Sequence, residues 1–147
     1  TLVMWDAETG KKIKTFKGHE WPVHEVAYSH DGKRLISGSE DNTAIIWDID
    51  TAKKTVLSGH TAPVASVVFS PDDSRAFTAS DDGTAKLWDT DTGKEILTLS
   101  SHAQGVTSVD FSPNGRFVAT GSQDGQAILW LTVDWKNKAP QVVKLNR

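Results

Sequence analysis

Four residues recur along this chain in a fixed order and at a fixed spacing, three times over. Each copy begins with a His, which is followed after 18 residues by a Ser or Thr, after 22 by an Asp and after 28 by a Trp. Successive copies begin 41 or 42 residues apart. A fixed period of this length predicts a repeat architecture in which each copy is one supersecondary unit. The twelve positions are His19, Ser37, Asp41 and Trp47, then His60, Thr78, Asp82 and Trp88, then His102, Thr120, Asp124 and Trp130.

The segments between these positions are typical of β-strands. They are short, rich in Val, Phe, Leu and Thr, and bounded by turn residues, and none keeps a helical apolar period. We therefore expect each repeat to form one four-stranded antiparallel meander. Three dipeptides predict two-residue hairpins of type I′, because that turn needs residues that tolerate positive φ. They are Asp41-Asn42, Asp82-Gly83 and Asp124-Gly125.

The predicted strands define three and a half units. Thr1 aligns with Thr43 and Thr84, so the chain starts at a third strand, and 13–17 supplies the fourth. We expect an outer half-unit at 1–17 and complete units at 18–58, 59–100 and 101–147. The predicted strands of the complete units are 23–29, 34–39, 43–48 and 54–58, then 64–70, 75–80, 84–89 and 95–100, then 106–112, 117–122, 126–131 and 141–146.

Dipeptides that flank each unit carry a family resemblance. Gly18-His19 and Gly59-His60, with Trp5-Asp6, Trp47-Asp48 and Trp88-Asp89, resemble the GH and WD markers of WD40 repeats. The resemblance covers essentially the whole chain, and it implies an all-β fold: a β-propeller segment of three complete four-stranded antiparallel blades plus a half blade at the N-terminus. Only the third repeat departs from the markers, with Ser101 before its His and Leu131 after its Trp.

The same resemblance implies that each set of four markers forms a hydrogen-bonded relay. In this relay the Trp indole donates to the hydroxyl, the hydroxyl bonds the His, and the His bonds the Asp. A Ser or Thr beside a His and an Asp also suggests a hydrolase. Three copies of a catalytic group in one domain are implausible, however, and no Gly-X-Ser-X-Gly elbow occurs. We therefore expect a structural relay, no catalytic residue and no enzyme activity.

Other chemical classes find little support in the sequence. His19 and His24 are five apart with Pro22 between them, whereas a zinc-protease helix needs two His four apart, so we expect no metal site. No phosphate-binding loop appears, so we expect no cofactor. The absence of cysteine excludes disulfides and thiolate metal sites within the sequence.

The charge balance argues against nucleic acid as a partner. Sixteen basic and nineteen acidic residues give a net charge of −3, which does not suit a phosphate-binding surface. Four lysines at 11, 12, 14 and 17 form a local basic cluster, which we expect to protect an outer strand from edge pairing. No apolar run approaches the roughly 18 residues of a membrane span, and no signal peptide is visible. We therefore expect no membrane association and a cytoplasmic location.

Because no catalytic, metal or cofactor site is expected, the surface of the molecule is the candidate for binding partners. In WD40 proteins, partners often bind the face that carries the loops leading into each blade and the second-to-third-strand turns. Trp21 adjoins this face without a counterpart in the other repeats, and it either anchors a partner or packs over Pro63 or a neighbouring loop. Trp135, in the 134–140 insertion, either caps its blade or marks a separate contact. The resemblance places on the binding face Pro22, His24, Glu40, Pro63, Ala65, Asp81, Gly105, Thr107 and Gln123.

These features predict a non-enzymatic scaffold that binds proteins or peptides. Because Glu40 and Asp81 make the face mildly acidic, we expect a basic or Arg-bearing partner. The alternative is a sensor or regulatory propeller that belongs to a larger multidomain enzyme such as a protein kinase. With 147 residues, the chain has about half of a closed propeller. We therefore expect the missing blades to come from the same full-length chain or, as the less favoured alternative, from self-association.

Overall fold

The protein is described by a computed structural model that covers residues 1–132 and 141–143. Within these residues the chain forms fourteen β-strands and no helix. The strands are β1 (Leu2–Trp5), β2 (Lys12–Phe16), β3 (Val23–Tyr28), β4 (Arg34–Ser39), β5 (Thr43–Asp48), β6 (Lys54–Ser58), β7 (Val64–Phe69), β8 (Arg75–Ser80), β9 (Ala85–Asp89), β10 (Glu95–Leu99), β11 (Val106–Phe111), β12 (Phe117–Ser122), β13 (Ala127–Leu131) and β14 (Gln141–Val143).

The strands form four antiparallel sheets in simple sequential order. β1 and β2 make a two-stranded sheet, and β3–β6, β7–β10 and β11–β14 each make a four-stranded meander. The predicted all-β fold, with three four-stranded blades and an N-terminal half blade, is confirmed. Where the described strand ends differ from the predicted ones they do so by one residue, while 144–146 of the last predicted strand lie outside the described residues.

Apolar side chains lie between successive sheets and hold them together. The second strand of a blade is covered on both faces, as in β4 and β8, where all but the first residue is buried. This pattern is expected when neighbouring sheets stack face to face. Three apolar clusters result, one between each pair of neighbouring sheets. Their largest members are Phe16 and Trp47, then Phe69 and Trp88, then Phe77 and Trp130.

The first strands of the blades also meet along their length. Glu25 Oε2 on β3 accepts a hydrogen bond from the Val67 N–H of β7 at 2.7 Å. One blade further on, Ser66 Oγ accepts from the Val109 N–H at 3.3 Å. A Cβ at Gly38 would lie 2.8 Å from Val64 Cγ1, so β4 and β7 approach too closely for any larger residue there without adjustment. Neighbouring blades are therefore joined by hydrogen bonds as well as by apolar packing.

The turns between the second and third strands differ from the predicted type I′ hairpins. Type I′ requires positive φ at both residues, but only Asn42, Gly83 and Gly125 have it and the preceding Asp residues do not. The N–H of Asn42 bonds the carbonyl of Ser39 at 3.3 Å, which leaves a three-residue loop whose last residue is left-handed. The Asp retains negative φ because its carboxylate caps the N–H two residues on, as Asp41 does for Thr43 at 3.0 Å.

The half blade packs on its neighbour through Leu2, Met4 and Phe16, and Lys14 adds hydrogen bonds. The Phe16 ring packs against Trp47 with centroids 5.8 Å apart. Lys14 Nζ donates to the carbonyls of Ile49 and Asp50, each at 2.6 Å. Lys14, one of the four clustered lysines, thus has a further role, because its ammonium reaches across to the β5–β6 turn.

Candidate functional site

The structure brings the four repeated side chains of each blade into one hydrogen-bonded cluster. In the β7–β10 blade, Thr78 projects from the second strand and Trp88 from the third. His60 comes from the loop leading into β7, and Asp82 comes from the β8–β9 turn. Trp88 Nε1 donates to Thr78 Oγ1 at 2.8 Å, Thr78 Oγ1 lies 2.7 Å from His60 Nε2, and His60 Nδ1 lies 2.8 Å from Asp82 Oδ2.

The other two blades repeat this geometry closely. The distances from indole to hydroxyl are 2.9 Å in both, and those from hydroxyl to imidazole are 2.8 Å in both. The distances from imidazole to carboxylate are 2.8 and 3.0 Å. All twelve predicted positions thus fall in three equivalent clusters: His19, Ser37, Asp41 and Trp47; His60, Thr78, Asp82 and Trp88; His102, Thr120, Asp124 and Trp130.

The partners of each group fix the direction of the hydrogen bonds. An ionised Asp82 can only accept, so His60 must carry its proton on Nδ1. Neutral His60 then presents Nε2 as an acceptor, and the Thr78 hydroxyl donates to it while accepting from the Trp88 indole. Each donor of this four-residue series, the indole N–H, the hydroxyl and the imidazole Nδ1–H, therefore has one acceptor. The cluster needs neither water nor a further group.

The pKa shifts of His60, Asp82 and Asp124 favour the protonation states that this direction requires. Burial of the His60 imidazole lowers its pKa below the usual 6.5, outweighing the opposite effect of Asp82. Burial acts to raise the pKa of Asp82, but hydrogen bonds from Thr84, His60 and the Thr61 N–H outweigh it and hold the pKa below 3.8. The N–H of Ala103, with that of Gln126 and the His102 ring, lowers the pKa of Asp124 to about 2.

These shifts make stability fall on acidification, in two stages. His60 binds a proton less readily in the folded than in the unfolded chain, so stability is full above about pH 6.5 and decreases as the pH falls below it. The carboxylates add a second loss as the pH falls from about 3.8 toward 2. We expect the urea midpoint to decrease steadily between pH 7.5, 5.5 and 3. Circular dichroism measures it, and a midpoint independent of pH over that range would contradict the assignment.

The clusters are unsuited to nucleophilic catalysis. The three hydroxyl-bearing residues are at most 1% exposed, so a substrate has no path to them. Each hydroxyl also accepts from an indole and donates to an imidazole, so it is enclosed between these two buried rings. The arrangement instead satisfies buried polar groups and ties the lead-in loop, the second strand and the third strand of each blade together.

A second recurring hydroxyl anchors the lead-in loops and was missed by the sequence analysis. Ser39 Oγ lies 2.8 Å from the Pro22 carbonyl, and Ser80 Oγ lies 2.9 Å from that of Ala62. Ser122 Oγ lies 2.8 Å from the Gly105 carbonyl. A Ser stands 20 residues after the repeated His in all three copies, so the same search for fixed spacing would have found these positions.

The predicted binding positions lie together on one face of the molecule. We call this the top face; it is formed by the loops leading into β3, β7 and β11 and by the β4–β5, β8–β9 and β12–β13 turns. Its positions differ in accessibility. Exposed are Trp21, Pro22, His24, Glu40, Asp81, Thr107 and Gln123; half-buried are Pro63 and Ala65; Gly105 is buried, beneath the Asp81 side chain.

An open pocket lies on the top face between the first two complete blades. It has a volume of about 420 Å³. Trp21 is 62% exposed beside it. We call it the Trp21 pocket; it is lined by Glu20, Trp21, Glu40, Asp41, Asn42 and Pro63.

Other site types find no counterpart in the described part of the chain. Residues 1–132 and 141–143 include no group of three or more His, Asp or Glu side chains placed to hold a metal ion. The same residues form no helix that is long and apolar enough to cross a bilayer. Trp135, a predicted cap or contact, lies outside the described residues.

Comparison with known families agrees with the repeat geometry. The family model described as "WD domain, G-beta repeat" matches residues 10–48, 52–89 and 93–130. The chain therefore belongs to the WD40-repeat family. Repeats of this family are typical of protein-interaction scaffolds.

Individual relatives resemble short stretches of the chain. THO complex subunit 6 of Arabidopsis thaliana is 47% identical over 49 residues, which are 33% of this chain and 13% of that protein. Periodic tryptophan protein 2 homolog of Schizosaccharomyces pombe is 44% identical over 48 residues, 33% of this chain and 6% of that protein. Serine-threonine kinase receptor-associated protein of Gallus gallus is 40% identical over 52 residues, 35% of this chain and 15% of that protein. The matches thus span a small part of each relative's length.

Proposed function

We propose that this chain is a non-enzymatic propeller segment that binds protein or peptide partners through its top face. The observation that carries the proposal is the division of its polar residues. The repeated His, hydroxyl and Asp groups are engaged in three hydrogen-bonded clusters, whereas Trp21, Glu40 and Asp81 are exposed on the top face and belong to none of these clusters. An exposed aromatic side chain beside exposed carboxylates supports recognition of a partner.

The charge of the top face favours a basic partner. Glu40 and Asp81 stand at equivalent positions of two neighbouring turns, and both are exposed. Among the described residues, the one ion-pair contact of the Glu40 side chain is to His24, whose Nε2 lies 3.6 Å from Glu40 Oε1, beyond normal hydrogen-bond length. Asp81 makes no side-chain hydrogen bond or ion pair with any described residue. Both carboxylates therefore remain available to Lys or Arg side chains of a partner.

The proposal is tested by reversing charge on one face at a time. Glu40→Lys/Asp81→Lys changes the top face, and Asp50→Lys/Asp91→Lys makes the same change in net charge away from it, at two exposed turn positions. In affinity purification with quantitative mass spectrometry, we expect the first variant to lose the partners of the wild type at least fivefold and the second to keep them. Partners retained by the top-face variant, or lost equally by both, would overturn the proposal.

A further inference from the structure

The Trp21 pocket combines an exposed aromatic with acidic side chains. Trp21 is exposed over 62% of its surface. Exposed aromatic side chains, Trp among them, are frequent anchors at binding surfaces. The floor is held in place from both blades: Ser39 Oγ lies 3.2 Å from the Trp21 carbonyl, and Asn42 Nδ2 lies 3.2 Å from those of Glu40 and Ala62, with the amide oriented to satisfy them. The pocket is therefore a shaped feature of the top face.

The repeat architecture does not require the side chains of Glu20 and Trp21, two of the residues that line this pocket. Glu20 contributes its backbone N–H to Asp41 Oδ2 at 3.1 Å, and Thr61 and Ala103 make the same bond in the other blades at 3.1 and 2.9 Å. The side chain at this position is thus free to vary without affecting the blade. The next position is Trp only in the first copy, and Ala62 or Gln104 in the others. The repeat therefore does not account for the pairing of Trp21 with Glu20 at this place.

Two of the three carboxylates at the pocket are available to a ligand. Asp41 is committed, since its Oδ2 bonds His19 and its Oδ1 bonds the Thr43 hydroxyl. The side chain of Glu20 forms no hydrogen bond or ion pair within the described part of the chain, and Glu40 has only the long contact to His24. A pocket with one flat aromatic surface and two free anions is complementary to a flat cation.

We infer that the Trp21 pocket binds a single arginine side chain of a partner protein. The guanidinium stacks on the indole, and its N–H groups pair with the Glu20 and Glu40 carboxylates. Arginine suits this site better than lysine, because its planar fork both stacks on aromatic rings and donates to carboxylates in two directions. The inference rests on the proposed function, since it names the chemistry by which the top face holds its partner.

The inference is tested with short peptides and one resolved reporter. The chain has six Trp, so protein labelled with ¹⁵N-Trp gives few indole signals, and the one missing in Trp21→Phe belongs to Trp21. The probes are capped Gly-Gly-X-Gly-Gly peptides in which X is arginine, lysine, neutral citrulline or norleucine. We expect the arginine peptide to shift the Trp21 signal most, lysine to bind about threefold more weakly, and citrulline and norleucine at least fivefold more weakly.

Matched variants locate the binding within the top face. Glu40→Gln keeps the shape of the side chain and is expected to weaken the arginine peptide at least threefold. Asp81→Asn removes the equivalent charge from the next blade and is expected to change the affinity less than twofold. Trp21→Ala, monitored through shifts of the remaining Trp signals and by calorimetry, is expected to lose binding at least fivefold.

The outcomes separate this inference from the proposal on which it rests. Equal binding of arginine and citrulline, or shifts that Asp81→Asn abolishes and Glu40→Gln leaves intact, would overturn the arginine pocket while leaving the top face as the binding surface. Loss of partners from both charge-reversed double variants, with arginine selectivity intact at Trp21, would instead overturn the proposed function and retain the pocket.

Discussion

Replacing Thr78 with Val is expected to destabilise the chain by about 2–5 kcal/mol, because it leaves two buried polar groups without partners. The Trp88 indole loses its acceptor, and His60 Nε2 loses its donor. Val matches Thr in shape, so no cavity forms and the loss reports the hydrogen bonds alone. Urea unfolding followed by tryptophan fluorescence measures it, as a lower midpoint at unchanged slope.

The chain contains the control for this substitution. Ser37 occupies the same place in the preceding blade and makes both bonds, at 2.9 and 2.8 Å. Thr78→Ser should therefore keep the cluster intact and cost only about 1 kcal/mol for the deleted buried methyl group. A Val variant that is as stable as the Ser variant would show that the cluster does not stabilise the blade.

The order of the strands was accessible from sequence because the repeat supplies three aligned copies. The spacing shows which residues occupy equivalent positions. The short apolar segments between turns predict the antiparallel meander of each blade. The turn type was not accessible. Asp82-Gly83 fits a two-residue hairpin by composition, but the Asp carboxylate caps Thr84 at 2.9 Å and opens the loop by one residue. The turn type therefore depends on a contact distant in sequence, since the same Asp82 carboxylate also bonds His60.

The candidate site likewise has one part that the sequence could predict and one part that it could not. Residues that recur could be assigned to the blade, and the resemblance supplied their pairing. Trp21 could be recognised as exceptional, but sequence left open whether it packs or is exposed, because the answer depends on where the next blade places Pro63. The pocket itself joins residues of two blades, so no single repeat carries its pattern.

Repetition thus separates two kinds of polar residue in this chain. A residue that returns at every period meets a requirement of the blade, as Ser39 and Ser80 do by holding the lead-in loops. Glu20 differs from the residues at the equivalent positions of the other repeats, and its side chain makes no hydrogen bond that the blade requires. Such a residue is free to take part in recognition. The two classes should therefore respond differently to mutation, one in stability and the other in binding.

The tryptophans provide the sharpest comparison between these classes. Trp88 is 1% exposed, lies between two blades among the apolar residues of their shared cluster, and bonds Thr78. Trp88→Ala removes that packing, opens a cavity and strands a hydroxyl lone pair. We expect a loss of about 3–5 kcal/mol, a large fraction of the roughly 5–15 kcal/mol that stabilises a domain. Thermal and urea unfolding measure it.

Trp21→Ala makes the same chemical change at a side chain that is 62% exposed. Its expected effect on stability lies within about 0.5 kcal/mol, since it deletes no buried contact of comparable size. The pair thus controls for composition and for the loss of an indole chromophore, provided that unfolding is followed by circular dichroism. Equal destabilisation by the two variants would mean that Trp21 supports the fold, and its exposure could then no longer be used as an argument for binding.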